Sequence, residues 1–89
     1  MKVKEGFVLR EIAGQWVLVP TGEVAEEKNC IITLTSSAAL LWRELEKGVG
    51  SPEDLANSLL CEYDIEYNMA LRDAREFVAQ LEENGMLEK

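Results

Sequence analysis

Apolar residues in the first third of the chain fall in short runs that are rich in β-branched and aromatic side chains, which is typical of strands. Phe7 to Ile12 and Gln15 to Val19 are two such runs, and Ala13-Gly14 between them has the length of a two-residue hairpin turn. After a polar connection, Cys30 to Leu34 forms a third run. The pattern predicts a three-stranded antiparallel meander in which Gly14 supplies a positive φ.

From Thr35 onward the apolar positions recur every three or four residues, as on one face of a helix. A first helix is predicted after a cap formed by Thr35 or Ser36, and Gly48 is expected to end it in the left-handed conformation. Its inward face carries Ala38, Leu41, Trp42 and Leu45.

Two further helices follow by the same signals. Ser51-Pro52 begins the second, with Asp54 completing a near capping box, and Tyr63-Asp64 closes it. The third runs from about Glu66 to Asn84 and stops at Gly85.

A meander followed by three amphipathic helices predicts an α+β domain with the helices packed on one side of a small sheet. The core is expected to consist of the helical stripes Trp42, Leu45, Leu55, Leu59, Phe77, Val78 and Leu81. Met86 and Leu87 are expected to fold back onto it. The third strand then forms an edge of the sheet with nothing paired beyond it.

Length and charge narrow the functional classes. The chain has 89 residues, which predicts one domain, 1–89, with a groove or an edge instead of a deep pocket. Its 17 Asp and Glu exceed its nine Lys and Arg, and the net charge of −8 disfavours nucleic acid and anionic lipid as partners. The sequence has neither a signal-peptide pattern nor an apolar run long enough to span a membrane, so we expect a cytoplasmic protein.

The chemistry-bearing residue types are sparse. There is no histidine, so neither a Ser-His or Cys-His nucleophile pair nor an imidazole metal site is possible. Cys30 and Cys61 are far apart in sequence and are expected to be reduced thiols in the core. We therefore expect no catalytic residues, no metal site and no cofactor.

An ordered set of residues runs through most of the chain. It includes Leu34-Thr35-Ser36-Ser37-Ala38-Ala39-Leu40-Leu41-Trp42, Leu45, Gly48, Ser51-Pro52-Glu53-Asp54-Leu55-Ala56, Leu60, Glu62-Tyr63-Asp64, Asp73, Phe77-Val78, Leu81 and Gly85-Met86-Leu87. In this order the set resembles the PqqD family, which is named after pyrroloquinoline quinone biosynthesis. Members commonly have Leu-Asn where this chain has Leu34-Thr35, and threonine also caps a helix.

The resemblance implies a winged helix-turn-helix-like fold and a peptide-binding function. Such domains are adaptors and not enzymes. They recognise the leader of a ribosomally made precursor peptide and present it to a modifying enzyme, often a radical S-adenosylmethionine (SAM) protein.

In the family the leader adds as a strand beside the third strand, in a cleft shared with the third helix. Carried over to this chain, the expected peptide-binding residues are Cys30, Ile31, Ile32, Thr33, Leu34, Leu71, Arg72, Arg75, Val78 and Glu82. Strand addition agrees with the composition, because it uses backbone groups and needs no catalytic motif. Arg72 and Arg75 either pair with acidic residues of the leader or form helical ion pairs with Asp73, Glu76 or their neighbours.

Two other functions remain open at this point. One is a DNA-binding regulator, against which the acidic charge argues. The other is an acidic winged-helix interaction module in a different complex. The expected free edge would also allow two copies to pair as a homodimer.

Overall fold

The computed structural model describes residues 1–22 and 31–88 of the chain. Five strands are described, namely β1 Lys2–Val3, β2 Phe7–Ile12, β3 Gln15–Pro20, β4 Ile32–Leu34 and β5 Leu87–Glu88. Three helices follow β4, namely α1 Ser36–Lys47, α2 Pro52–Glu62 and α3 Tyr67–Glu83. The α+β class and the order of a sheet followed by three helices are thus confirmed.

The larger sheet is the predicted antiparallel meander, with strand order β2-β3-β4. Its hairpin turn has positive φ at both central residues, 51° at Ala13 and 79° at Gly14, which suits the right-handed twist of the strands. The third strand is shorter than predicted, because it begins at Ile32 and leaves Ile31 outside. Cys30 lies outside the described residues.

A second, two-stranded sheet was not predicted. β1 pairs antiparallel with β5, so the two ends of the described chain lie side by side. Backbone bonds extend this pairing on both sides, from Lys4 N–H to the Met86 carbonyl at 2.8 Å and from Val49 N–H to the Met1 carbonyl at 2.8 Å. The predicted return of Met86 and Leu87 to the core is confirmed, since both are buried.

Helix α1 begins and ends at the predicted residues. The Thr35 hydroxyl accepts a hydrogen bond from Ala38 N–H at 3.1 Å, so Thr35 and not Ser36 is the cap. Gly48 ends the helix with a positive φ of 92°, but its ψ of 130° is extended. The predicted left-handed helical conformation is therefore wrong, and the chain leaves α1 towards its pairing with Met1.

Helix α2 departs from the predicted capping box. Ser51 is the N-cap residue by its extended backbone, yet its hydroxyl caps no backbone N–H. The Asp54 carboxylate instead accepts from Gly50 N–H at 3.1 Å, one residue earlier than the box requires. Tyr63 ends the helix as predicted.

Helix α3 ends in a Schellman motif. Met86 N–H donates to the Leu81 carbonyl at 2.8 Å, and Gly85 N–H donates to the Glu82 carbonyl at 3.0 Å. Gly85 has a φ of 69°, which a residue without Cβ adopts at little cost. The motif turns the chain directly into β5.

The core lies between the helices and one face of the larger sheet. Leu18 of β3 is fully buried there, and Leu9 and Ile32 on the neighbouring strands pack against the same cluster. The predicted core residues are all buried: Trp42, Leu45, Leu55, Leu59, Phe77, Val78 and Leu81. The ring of Phe7 meets Trp42 edge-on at 6.2 Å between centroids.

Cys61 does not belong to this core. It is a free thiol with an exposed side chain, so the prediction of a core thiol is wrong for this residue. Cys61 comes two residues after Leu59 on α2. Two residues correspond to a rotation of about 200° around a helix, so Cys61 lies away from the buried stripe.

The core assignment predicts a contrast between two truncations in the helices. Leu45→Ala removes a fully buried side chain and should lower the free energy of unfolding by about 3 kcal/mol. Met69→Ala removes an exposed one and should change it by less than about 0.5 kcal/mol. Equal midpoints for the two variants in urea unfolding would contradict the packing described here.

The hairpin turn predicts a stabilising substitution. Ala13 incurs a steric cost at positive φ that asparagine largely avoids, so Ala13→Asn should raise Tm by a few degrees, about 0.5 kcal/mol. Gly14→Ala should lower Tm although its Cβ would meet no atom within 4 Å, because the cost is in the backbone. The opposite order of Tm values in thermal melts would show that the turn has another conformation.

Candidate functional site

Strand β4 forms an edge of the larger sheet. It pairs with β3 through Trp16↔Leu34, Val17↔Thr33 and Leu18↔Ile32. No strand in the described ranges pairs with its other side. Backbone N–H and C=O groups along that side have no strand partner in residues 1–22 and 31–88.

The sequence around this edge leaves it unprotected. From Cys30 to Trp42 there is no charged residue and no proline, although these are the residue types that proteins use to block pairing at sheet edges. Ile31, immediately before β4, has a side chain that is 62% exposed. An open edge flanked by an exposed β-branched residue is suited to accepting a further strand.

The two faces of β4 have different surroundings. Ile32 and Leu34 are half-buried and pack against the core cluster, whereas Thr33 between them is exposed. The inward side chains hold the strand in register, because a shift by one residue would turn both into solvent. The edge is thus fixed in place by apolar packing on one face.

A cleft begins where β4 ends. It has a volume of about 360 Å³ and lies between the start of α1 and the side of α3. Its lining residues are Thr35, Ser37, Ala38, Leu41, Leu59, Asp73, Glu76, Phe77 and Gln80. Leu41, Leu59 and Phe77 are buried core residues, so the floor is apolar and continuous with the core.

The charges of this cleft come from α3. Asp73 and Glu76 are both exposed, and no basic residue is among the lining residues. Arg72 approaches Asp73 at 4.0 Å, and both side chains are more than half exposed, so solvent screens that pair strongly. The cleft therefore combines an apolar floor with an acidic rim.

The residues predicted on α3 are distributed around the helix. Val78 is buried and Leu71 is half-buried against the core. Arg75 reaches Glu53 of α2 at 3.4 Å. Glu82 lines a different and larger hollow, of about 860 Å³, together with Met1. Neither these four α3 residues nor Ile31 to Leu34 are among the residues that line the cleft, although β4 ends one residue before its first lining residue, Thr35.

Arg75 contacts Glu53 of the neighbouring helix at 3.4 Å, which is neither pairing expected from the sequence, and contact of either arginine with a leader stays a prediction. Arg75 pairs with the neighbouring helix, and Arg72 pairs with the adjacent Asp73. A backbone N–H and the Ser51 hydroxyl hold the pKa of Glu53 below its usual value, and Arg75 lowers it further. Both arginines already have carboxylate partners within the protein.

None of the nine residues that line the cleft was predicted as a binding residue. On α3 these are Asp73, Glu76, Gln80 and Phe77, of which Phe77 was predicted for the core. Together the four positions are spaced i, i+3, i+4 and i+7, which places them on one helix face. That spacing is a usable signal. The signal is ambiguous in the sequence, because Asp73 and Glu76 are equally well interpreted as ion-pair partners for the arginines.

Neither a metal-binding cluster nor a membrane-spanning helix occurs in the described part of the chain. In residues 1–22 and 31–88, no group of three or more Cys, Asp or Glu side chains has the arrangement of a metal site. None of the helices described is long and apolar enough to cross a membrane.

The fold and the sequence match known proteins. Residues 15–87 match the family described as coenzyme PQQ synthesis protein D, PqqD. Among solved structures, lasso peptide synthetase B1 complexed with the leader peptide is 28% identical, with a TM-score of 0.73 over 99% of this chain and 96% of that chain. TbiB1 in complex with the TbiA(beta) leader peptide is 25% identical, with a TM-score of 0.74 over 99% and 95% of the two chains. A search of curated proteins gives no match.

The family match begins at the start of β3 and runs to β5, so it includes β4, all three helices and every described residue of the cleft. The resemblance inferred from the ordered residues is thereby confirmed. This protein belongs to the PqqD family.

Proposed function

We propose that this protein is a non-catalytic adaptor that binds the leader of a ribosomally made precursor peptide and presents it to a modifying enzyme. The observation that carries the proposal is the edge of β4, which has no strand partner among the described residues and lies beside a cleft with an apolar floor and an acidic rim. The peptide adds to the sheet as a fourth strand and places side chains in the cleft. Ile31 to Leu34 and the α3 residues of the cleft are the proposed contacts.

Strand addition fits the geometry of the edge. Affinity comes from backbone hydrogen bonds to β4, and specificity comes from the alternate side chains that reach pockets beside it. An antiparallel peptide runs opposite to β4. The residues that precede its paired stretch therefore lie beyond Leu34, over the cleft that begins at Thr35.

The comparisons support a leader as the ligand. Both matched structures are described as complexes with leader peptides, and each aligns with 99% of this chain. At 28% and 25% sequence identity they share its fold more closely than its side chains. The comparisons therefore do not indicate which peptide sequence this protein binds.

An adaptor leaves the chemistry to its partner. The chain contains no histidine, and the described residues hold no group of metal-binding side chains. Two kinds of partner enzyme are candidates. The resemblance to the PqqD family favours a radical SAM protein, and the matched structures favour a lasso peptide synthetase.

A DNA-binding role is less well supported. Helix α3 carries two arginines and four carboxylates, and both arginines pair with carboxylates of the protein itself. Such a helix repels phosphates, whereas DNA-reading helices use Lys and Arg to displace counterions. A homodimer formed through β4 is compatible with the edge, and it would compete with the peptide for the same backbone groups.

Proline at two successive positions of β4 provides the test. Neighbouring residues of a strand direct their N–H groups to opposite edges, so one of Ile32→Pro and Thr33→Pro removes an N–H that faces the open edge. That variant should keep most of its thermal stability and bind the leader about tenfold more weakly. The other removes a bond to β3 and should melt at a lower temperature.

The ligand for this test is the leader of a precursor peptide encoded beside this protein's gene. Trp16 pairs with Leu34 of β4, so its fluorescence provides a binding signal close to the site. If the stable proline variant bound this leader as tightly as the parent protein, strand addition at β4 would be excluded.

A further inference from the structure

The acidic rim of the cleft restricts which peptide the site can accept. The ionised groups that line it are Asp73 and Glu76, on consecutive turns of one face of α3. Glu76 has no ion pair with any residue in the described ranges, and the partner of Asp73 is a screened contact at 4.0 Å. A peptide side chain that enters here meets the unpaired charge of Glu76 and the charge of Asp73, which Arg72 compensates only in part.

We propose that the bound peptide carries a lysine or arginine next to a large apolar side chain, immediately before the stretch that pairs with β4, and that Glu76 and Asp73 select this cation. The proposal rests on the proposed function, since it concerns the same bound peptide. It assigns a specificity role to two residues that would otherwise be ordinary surface carboxylates.

The proposed large apolar side chain of the peptide follows from the floor of the cleft. Leu41, Leu59 and Phe77 form it, and a volume of about 360 Å³ has room for one large aliphatic or aromatic side chain. A large apolar side chain of the peptide leaves water when it enters the cleft, which contributes about 25 cal/mol per Å² of its buried apolar surface. The neighbouring residue of the peptide is then held at the rim, within reach of the carboxylates.

The cationic half follows from the balance of charges around the cleft. The start of α1 carries a partial positive charge, which would favour an acidic peptide side chain. Its cap is already occupied, because the Thr35 hydroxyl accepts from Ala38 N–H and also bonds the Ser37 hydroxyl at 3.2 Å. Two full carboxylate charges outweigh this partial charge. The net charge of −8 also speeds encounter with a cationic peptide.

A selection experiment tests the motif even when the natural ligand is unidentified. A library of random 12-residue peptides displayed on phage is selected on the parent protein, on Glu76→Lys and on Glu83→Lys. Glu83 is the matched control, because it is an exposed carboxylate of the same helix that is not among the residues lining the cleft. The parent and the control should enrich Lys or Arg next to a large apolar residue, and Glu76→Lys should enrich Asp or Glu there.

Binding of one selected peptide measures the effect directly. Replacing its Lys or Arg by Gln should weaken binding to the parent by about two- to fivefold, and less at high salt. The same replacement should not weaken binding to Glu76→Lys. Enrichment of acidic residues by the parent, or an equal loss with Glu76→Lys, would overturn the charge assignment.

If the protein did not bind peptides by strand addition, the binding measurements would give a different result. In that case the selected peptides would bind the stable β4 proline variant as tightly as the parent. Peptides that lose affinity for the proline variant but show no charge preference would overturn this inference and leave strand addition intact. A selection that enriches no peptide on any of the three proteins would contradict both.

Discussion

The backbone of β4 is hydrogen-bonded to β3 on one side and has no strand partner among the described residues on the other, and the proposed function depends on this asymmetry. Three features fix the strand. β3 sets its register, Ile32 and Leu34 anchor it in the core, and the cap at Thr35 turns the chain into α1 one residue after the strand ends. In the proposed complex this packed strand of three residues serves as a template that does not first have to be ordered.

Backbone pairing at such an edge discriminates poorly between peptide sequences, because every residue except proline presents the same groups. In the proposed complex, selectivity comes from side chains beyond the end of the strand, where the cleft between α1 and α3 lies. In the proposed complex, backbone pairing and side-chain selectivity are carried by different segments of the sequence. The stretch around β4 is uncharged, while Asp73 and Glu76 on α3 bring charge to the place where the added strand would enter the cleft.

Much of this arrangement can be predicted from the sequence. For the features that cannot be predicted, the structure shows a physical reason. The core stripes and the helix ends follow from apolar periodicity and from Thr35, Tyr63 and Gly85, which act locally. The pairing of β1 with β5 leaves no periodic signal, because each strand has two residues and their partners are at opposite ends of the chain. The sequence also does not show which residues of α3 face the cleft. Periodicity gives the buried stripe of a helix, but which flank faces α2 and which faces the cleft depends on how α2 and α3 pack.

Amide hydrogen exchange at β4 tests the account most directly, since it follows the backbone groups that the peptide is proposed to bind. Exchange is followed by NMR in the free protein and with saturating leader peptide. We expect the β4 amides that point away from β3 to become strongly protected, while the amides of β1 and β5 keep their rates. Unchanged exchange along Ile32–Leu34 in a saturated complex would show that the peptide binds elsewhere and would contradict the central claim.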